Sequence, residues 1–425
     1  MKELVLHYIW QHKLFVQHDL HTTDGQRIEV IDVGKPNTHA GPDFFNAKIR
    51  IGKTVWAGNV EIHNLASDWN KHRHQQDKNY GNVILHVVKK ADVPVFLVDG
   101  QKLPQLELSY AATIEANYET LVSDTKWIAC ADKISQVPDV FIQSWMSALL
   151  LERMEQKVQE VNALLQSGSY HWEETCFVIV SKCFGFSVNN EAFLRLAKSI
   201  PLMLILKNCR DVTQLEALLF GQSGLLKELT CQDDYIEELK WEYAFLQKKY
   251  QLQPMDGKQW RLLRLRPDNF PYIRIAQLAS LFYKRQRLFS QLLDKQDVVL
   301  LMQLFDAVEV SDYWKNHYIP GEVHAPKSKK LGQESVYGIL INAVVPLLFC
   351  YGAHKQLQSL KDKALLMLDN IPAEHNYITR RWREMGLTFD SAADSQALIC
   401  LYKKYCEAKN CLRCRIGHMV LTSNV

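Results

Sequence analysis

No stretch of this 425-residue sequence is both long enough to span a membrane and free of polar breaks. The longest apolar run, SVYGILINAVVPLLFCYG from Ser335 to Gly352, is interrupted by Asn342 and Pro346 and is expected to be a buried helix. The opening MKELVLHYIWQHKLF carries His7, Gln11 and His12 within its apolar stretch. No small-residue cleavage site follows it, so a secretory signal is not expected. An excess of one charge is also missing. Lysine and arginine number 50 and aspartate and glutamate 47, a net +3 that neither demands nucleic acid nor excludes it, because a local basic groove is invisible in a total. There is no fixed-length repeat, no low-complexity tract and no Pro/Gly/Ser linker, which removes solenoids and tethered modules. These absences lead to the expectation of a cytoplasmic protein with no membrane partner.

What is present is a large apolar fraction, 47%, enough for a sizeable core. Along the chain two patterns succeed each other. Glu3 to Phe15 reads as a helix with Leu4, Tyr8 and Leu14 apolar. Thr23-Asp24-Gly25 is a turn, and Arg27 to Val33 alternates as a strand. Phe45, Ala47, Ile49 and Ile51 alternate with polar residues, and Gly52-Lys53 is a tight turn into Val55 to His63. Ser67-Asp68 can cap a short helix, and VILHVV from Val83 reads as a strand buried on both faces. Val93 to Val98 and Gln105 to Leu108 are further strand candidates. Beyond a soft boundary near 110–135 the spacing turns helical. The expected fold is therefore an α+β domain over 1–115, an αβββαβ core on a mixed sheet, followed by a large all-α domain over 116–425.

Two motifs in the first part carry chemistry. Pro42-Asp43 opens one strand and Glu61-Ile62-His63 closes the next. Period two places Asn59, Glu61 and His63 on one face. Two carboxylates from adjacent strands can hold a divalent ion, with a third group beside them to handle a proton. His72-Arg73-His74, Asp77 and His86 add ionisable groups. His86 interrupts an otherwise apolar strand, so it needs a polar partner, either Glu61 or a metal.

This order of elements and motifs resembles the PD-(D/E)XK nuclease superfamily over roughly residues 1–100. The resemblance implies Asp43 and Glu61 as Mg²⁺ or Mn²⁺ ligands, with His63 in place of the usual lysine, where it would orient or deprotonate water. A closer resemblance covers essentially the whole chain. GPDFFNAKI, GNVEIHNLASDW, HRH, DKNY, VILHVV, WRLLRLRPDNFPYIRIAQLA and YCEAKNCLRC are similar to the DUF2851 proteins, an uncharacterised bacterial family that brings no established activity.

Ten cysteines complete the inventory. Six (Cys130, Cys176, Cys183, Cys209, Cys231 and Cys350) lie in apolar segments, where a free thiol is usually a small buried hydrophobe. Cys406-x4-Cys411-x2-Cys414 has metal-ligand spacing, with His418, Cys400 or the distant Cys130 as fourth ligand to Zn²⁺ or an Fe–S cluster. Arg261, Arg264, Arg266 and Arg274 surround Pro267-Asp268-Asn269-Phe270-Pro271 and could grip phosphates or bridge packed helices. Lys327, Lys329 and Lys330 read as a solvated loop. The leading expectation is a metal-dependent nuclease-like protein that hydrolyses phosphodiester bonds, in DNA above other nucleic acids. The helical part would serve as substrate channel or homodimer interface. A non-catalytic scaffold binding nucleic acid or protein, and a His-rich zinc metallohydrolase using His63, His72 or His86, stay open.

Overall fold

The structure, a computed structural model, describes residues 3–167, 171–208, 211–295, 297–306 and 308–423. Cys209 lies outside these residues. The chain forms two compact units, residues 1–145 together with 401–425, and residues 146–400.

The first unit is built on one seven-stranded mixed sheet: β1 (Leu20–His21), β2 (Arg27–Asp32), β3 (Lys35–Pro36), β4 (Phe44–Ile51), β5 (Thr54–Leu65), β6 (Val83–Lys90) and β7 (Gln105–Glu107). The order is β1-β2-β4-β5-β6-β7, with β3 on β4. Strands β2, β4 and β5 are antiparallel, whereas β6 and β7 run parallel to β5. The parallel step needs a crossover, and residues 66–82 supply it through α2 (Asp68–Lys71) and two 3₁₀ turns. With α1 (Leu4–Gln11) in front and the two-residue strands β1 and β3 set aside, the expected α–β–β–β–α–β order is present.

Details differ from the sequence reading for local reasons. Helix α1 stops at Gln11, two residues before Lys13 takes a left-handed conformation (φ 51°), and it buries Val5, Leu6, Tyr8, Ile9 and Trp10 while Leu4 is exposed. The Gly52-Lys53 turn joins β4 to β5 as expected, with Gly52 at φ 59°. Asn46, at φ 56°, makes a bulge that shifts the β4–β5 register between Phe44 and Ala47. The shift reverses parity, so Phe44 rather than Phe45 joins Ala47, Ile49 and Ile51 in the core. At Gly58 a Cβ would stand 2.4 Å from Ile84 Cγ2 and 2.7 Å from Asn82 O, so only glycine lets β5 and β6 close at that level. Val93–Val98 forms no strand and contributes one isolated bridge, Phe96 to Lys102.

Residues 116–145 and the C-terminal segment were expected in the helical domain, but they pack into the first unit. Lys409 Nζ donates to the carbonyls of Val122 (2.6 Å) and Asp124 (2.8 Å), Asn117 Nδ2 donates to Leu421 O, and Trp127 stacks on Tyr402 at 4.7 Å. The sequence signal for the boundary was the onset of helical spacing, which marks a change of element and not of packing.

The second unit is helical around one continuous core that includes Phe177, Phe220, Phe282, Phe305 and Trp314. The apolar helix Gln333–His354 is 67% buried along its most apolar stretch. It contains a π-helical turn at Leu340–Val344, just before Pro346. In that register Pro346 would serve the Ile341 carbonyl but has no N–H. The buried Lys157 Nζ serves it instead at 3.2 Å, with Asn342 Oδ1 at 2.6 Å. Lys329, expected in a solvated loop, is 3% exposed and donates to the carbonyls of Trp314, Lys315 and His317.

Candidate metal centre

The two motifs meet where β4 begins and β5 nears its end. Asp43 precedes β4, and Phe44 pairs with Val60 across the antiparallel ladder. This register lets the two motifs clasp each other. Ile62 N donates to Asp43 Oδ2 (2.9 Å), and Asp43 N donates to Glu61 Oε2 (3.1 Å). Helix α1 adds His7, whose Nε2 lies 3.3 Å from Asp43 Oδ2 and 3.7 Å from Glu3 Oε1. Burial lowers the basicity of His7, but the Asp43 and Glu3 carboxylates outweigh it and raise its pKa to about 9.

The other oxygen of Glu61 turns the opposite way. Glu61 Oε1 is 3.3 Å from His74 Nε2 and 3.6 Å from His63 Nε2. Glu61 is 4% exposed, and its pKa is raised by burial against the pull of His74. His63 is held through both ring nitrogens. Nδ1 shares a 2.8 Å hydrogen bond with His86 Nε2, and Nε2 faces His72 Nδ1 at 3.1 Å. His72 ends α2 and His74 opens the next 3₁₀ turn. Arg73 between them adopts a left-handed conformation (φ 62°), which brings both imidazoles to the same place. His74 stacks on Tyr80 at 3.8 Å, and Trp69 stands edge-on to it.

Among the described residues two groups of potential ligand atoms result, each within 4.8 Å: His63, His72 and His74, and Glu3, His7 and Asp43. Glu61 reaches the first group through Oε1 and is tied to the second through the Asp43 backbone. Burial and the neighbouring histidines depress the pKa of His63 to about 3, and burial with His74 does the same to His86. Both rings are therefore neutral near pH 7, the form that ligates metal. His86 Nδ1 is buried without a hydrogen-bond partner, which is costly, whereas the buried His74 Nε2 has the Glu61 Oε1 oxygen 3.3 Å away.

Glu61 Oε1 thus turns to the histidine group, whereas Asp43 Oδ2, already bonded to Ile62 N, faces His7 in the other group. His86 stands behind His63 as its orienting partner, although its strand position had suggested a ligand or a partner for Glu61. Glu3, His7 and His74 were missing from the sequence-derived ligand set. Their only signals were an i, i+4 pair on α1 and the His-x-His spacing at 72–74.

The arginine segment lies in the second unit. Arg274 is 5% exposed, bonds Gln277 and Asn269 and packs on Phe186, so it fastens helices and is closed to phosphate. Arg261, Arg264 and Arg266 are exposed. His418, proposed as a thiol-site ligand, instead shares a 2.6 Å hydrogen bond with the Tyr8 hydroxyl through Nδ1.

The sequence matches the family described as a protein of unknown function, DUF2851, over residues 3–377. The chain belongs to this family. No curated protein and no solved structure matches it. The DUF2851 match includes every residue of the histidine–carboxylate site, whereas the three late cysteines lie beyond it.

Proposed function

We propose that this DUF2851 protein is a metal-dependent hydrolase of phosphodiester bonds, with nucleic acid, DNA above all, as substrate. The observation that carries the reading is the convergence of His63, His72 and His74, with Glu61 Oε1 3.6 Å from His63 Nε2 and 3.3 Å from His74 Nε2. Three imidazoles and a carboxylate favour Zn²⁺ or Mn²⁺ over Mg²⁺, which prefers oxygen ligands. Such an ion supplies a water of lowered pKa as nucleophile. His86 fixes the ring of His63, and the Asp43–Glu61 clasp fixes Glu61. Exposed His72 leaves one side open to a substrate. His63 is too weak a base at neutral pH to take the lysine's place in proton transfer, and it acts as a ligand. The phosphodiester class is supported by the αβββαβ element order around the site, the order of the nuclease cores the sequence resembles. The nine described cysteines are free thiols, which supports a cytoplasmic setting.

The test has two arms. Metal analysis of the purified protein should find zinc or manganese, lost in His74→Ala. Cleavage of plasmid and single-stranded DNA should then depend on the ion and disappear in the same variant. Absence of bound metal refutes the site. Bound metal without cleavage of either DNA refutes the substrate class.

A further inference from the structure

One exposed turn of the helical unit is held by buried polar side chains. From Lys258 to Arg266 the sequence KQWRLLRLR contains lysine and arginine but no acidic residue. Trp260 is buried, edge-on to Phe193, and its indole donates to Ser223 O at 2.9 Å. The chain then leaves the core. Arg261, Leu262, Leu263, Arg264 and Arg266 are exposed, Leu263 by 88%. Leu263 and Arg264 form the turn, with Arg264 in the left-handed region at φ 61°.

Both flanks of the turn are pinned. Asn189, 5% exposed, accepts from Arg261 N at 2.9 Å and donates to Arg261 O at 3.0 Å. On the far side Asn269 N donates to Arg266 O at 2.8 Å, and the Asn269 side chain accepts from the buried Arg274. Buried polar groups need partners, and here those partners hold the shape of a surface turn. The turn's own charges are unused. Among the described residues, no hydrogen bond or ion pair reaches the guanidinium groups of Arg261, Arg264 and Arg266. A fixed turn with free cations is pre-organised for an external partner.

Three features select that partner. Positive charge is concentrated, because exposed Arg195 joins the run through Gln259 Oε1 at 3.0 Å, while Asp268 is already paired with Lys327 and Tyr318, each at 3.1 Å. This complements a polyanion. The three cations on the turn are arginines, although lysine outnumbers arginine in the chain. A diffuse anionic surface such as a membrane takes either residue, whereas phosphates are gripped bidentately by the arginine fork. The run's aromatic residue, Trp260, is buried, so no ring is offered for the base stacking that single strands require. An exposed leucine between arginines instead matches the wedge that enters a duplex at a base step.

We propose that this turn docks duplex DNA, with Leu263 as the wedge and Arg261, Arg264 and Arg266 on the flanking phosphates. The claim rests on the reading of DNA as substrate, and it concerns binding alone. Fluorescence anisotropy of a short labelled duplex, with the full chain and a variant carrying Arg261→Gln, Arg264→Gln and Arg266→Gln, tests it. The salt dependence of log affinity should flatten by about 0.9 for each arginine removed. A fourfold rise in salt should therefore weaken wild type about 40-fold more than the triple variant. Leu263→Ala should bind several-fold more weakly with the wild-type slope. These side chains hold nothing in the fold, so melting temperature and bound metal should be unchanged in every variant. Equal slopes for wild type and triple variant, unaltered affinity in Leu263→Ala, or an effect confined to single-stranded DNA or to phosphatidylserine vesicles each overturns the proposal. A metal centre that still cleaves in the triple variant would leave the proposed reaction standing while this surface falls or holds on binding.

Discussion

Replacing His86 by leucine separates the role of an orienting histidine from that of a ligand. His86 is fully buried, with Nε2 2.8 Å from His63 Nδ1 and its own Nδ1 unpartnered. Leucine nearly fills the space and offers no hydrogen bond. In the metal-free protein the change removes one buried orphan, His86 Nδ1, and creates another, His63 Nδ1. Each such orphan costs about 1–3 kcal/mol, so the two largely cancel and the melting temperature should barely move. The metal-loaded protein should respond differently, because the ring of His63 is no longer fixed. Losing an outer-shell partner costs about 10–100-fold in metal affinity, or about 1.4–2.7 kcal/mol at 1.36 kcal/mol per decade. Competition against a zinc-sensitive chelator, run on wild type, His86→Leu and His74→Ala, measures the difference. The expected order is wild type tightest, His86→Leu weaker, and His74→Ala weakest. A His86→Leu protein that binds zinc as tightly as wild type, beside a crippled His74→Ala, would falsify the claim that His63 ligates through Nε2.

Three further outcomes follow from particular contacts. Gly58→Ala forces a methyl into Ile84 and the Asn82 carbonyl. It should cost about 2–3 kcal/mol by thermal denaturation and weaken zinc binding, because β5 and β6 carry His63 and His86. Asn46→Val puts a branched residue at φ 56° and should lose about 1–2 kcal/mol, whereas Asn46→Gly should stay near wild type. Equal stability of the two would show that the bulge is not held by that backbone angle. Glu216 in the helical unit is fully buried, accepts from Tyr235, Ser311 and Trp314 through one oxygen, and is raised from 4.5 to about 7, burial being the main cause. Its folded form holds a proton the unfolded form has released. Its contribution is therefore present below pH 4.5 and lost as pH rises through about 7. Glu216→Gln should match wild type near pH 4.5 and be more stable at pH 8 by up to about 3 kcal/mol. Denaturant titrations at the two pH values read this, and a pH-independent difference would refute it.

The sheet was legible where a pattern of period two met a turn signal, as at Phe44–Ile51, Gly52-Lys53 and Val83–Val88. It was misread by one residue at Phe44 and Phe45 because a bulge at an asparagine is a backbone event that hydropathy does not record. The site was legible in its strand-borne half, since Glu61 and His63 share a face by arithmetic alone. Glu3 and His7 were hidden in a helix read for its apolar side, and His74 depends on the left-handed turn at Arg73. Cys130 could be named but not placed, because the 122–127 segment reaches the C-terminal one through contacts between residues distant in the chain.

The discontinuous first unit has a consequence for synthesis. At about 5–20 residues per second, the chain between residues 145 and 401 takes roughly 10–50 s to emerge. Throughout that interval the sheet is made but its last segment is not. The intervening helical unit, drawn from one uninterrupted stretch, can fold while the N-terminal unit waits with its C-terminal docking surface uncovered. Nascent chains stalled before residue 401 should therefore offer that surface to chaperones, and release should coincide with the arrival of Leu401 to Leu421.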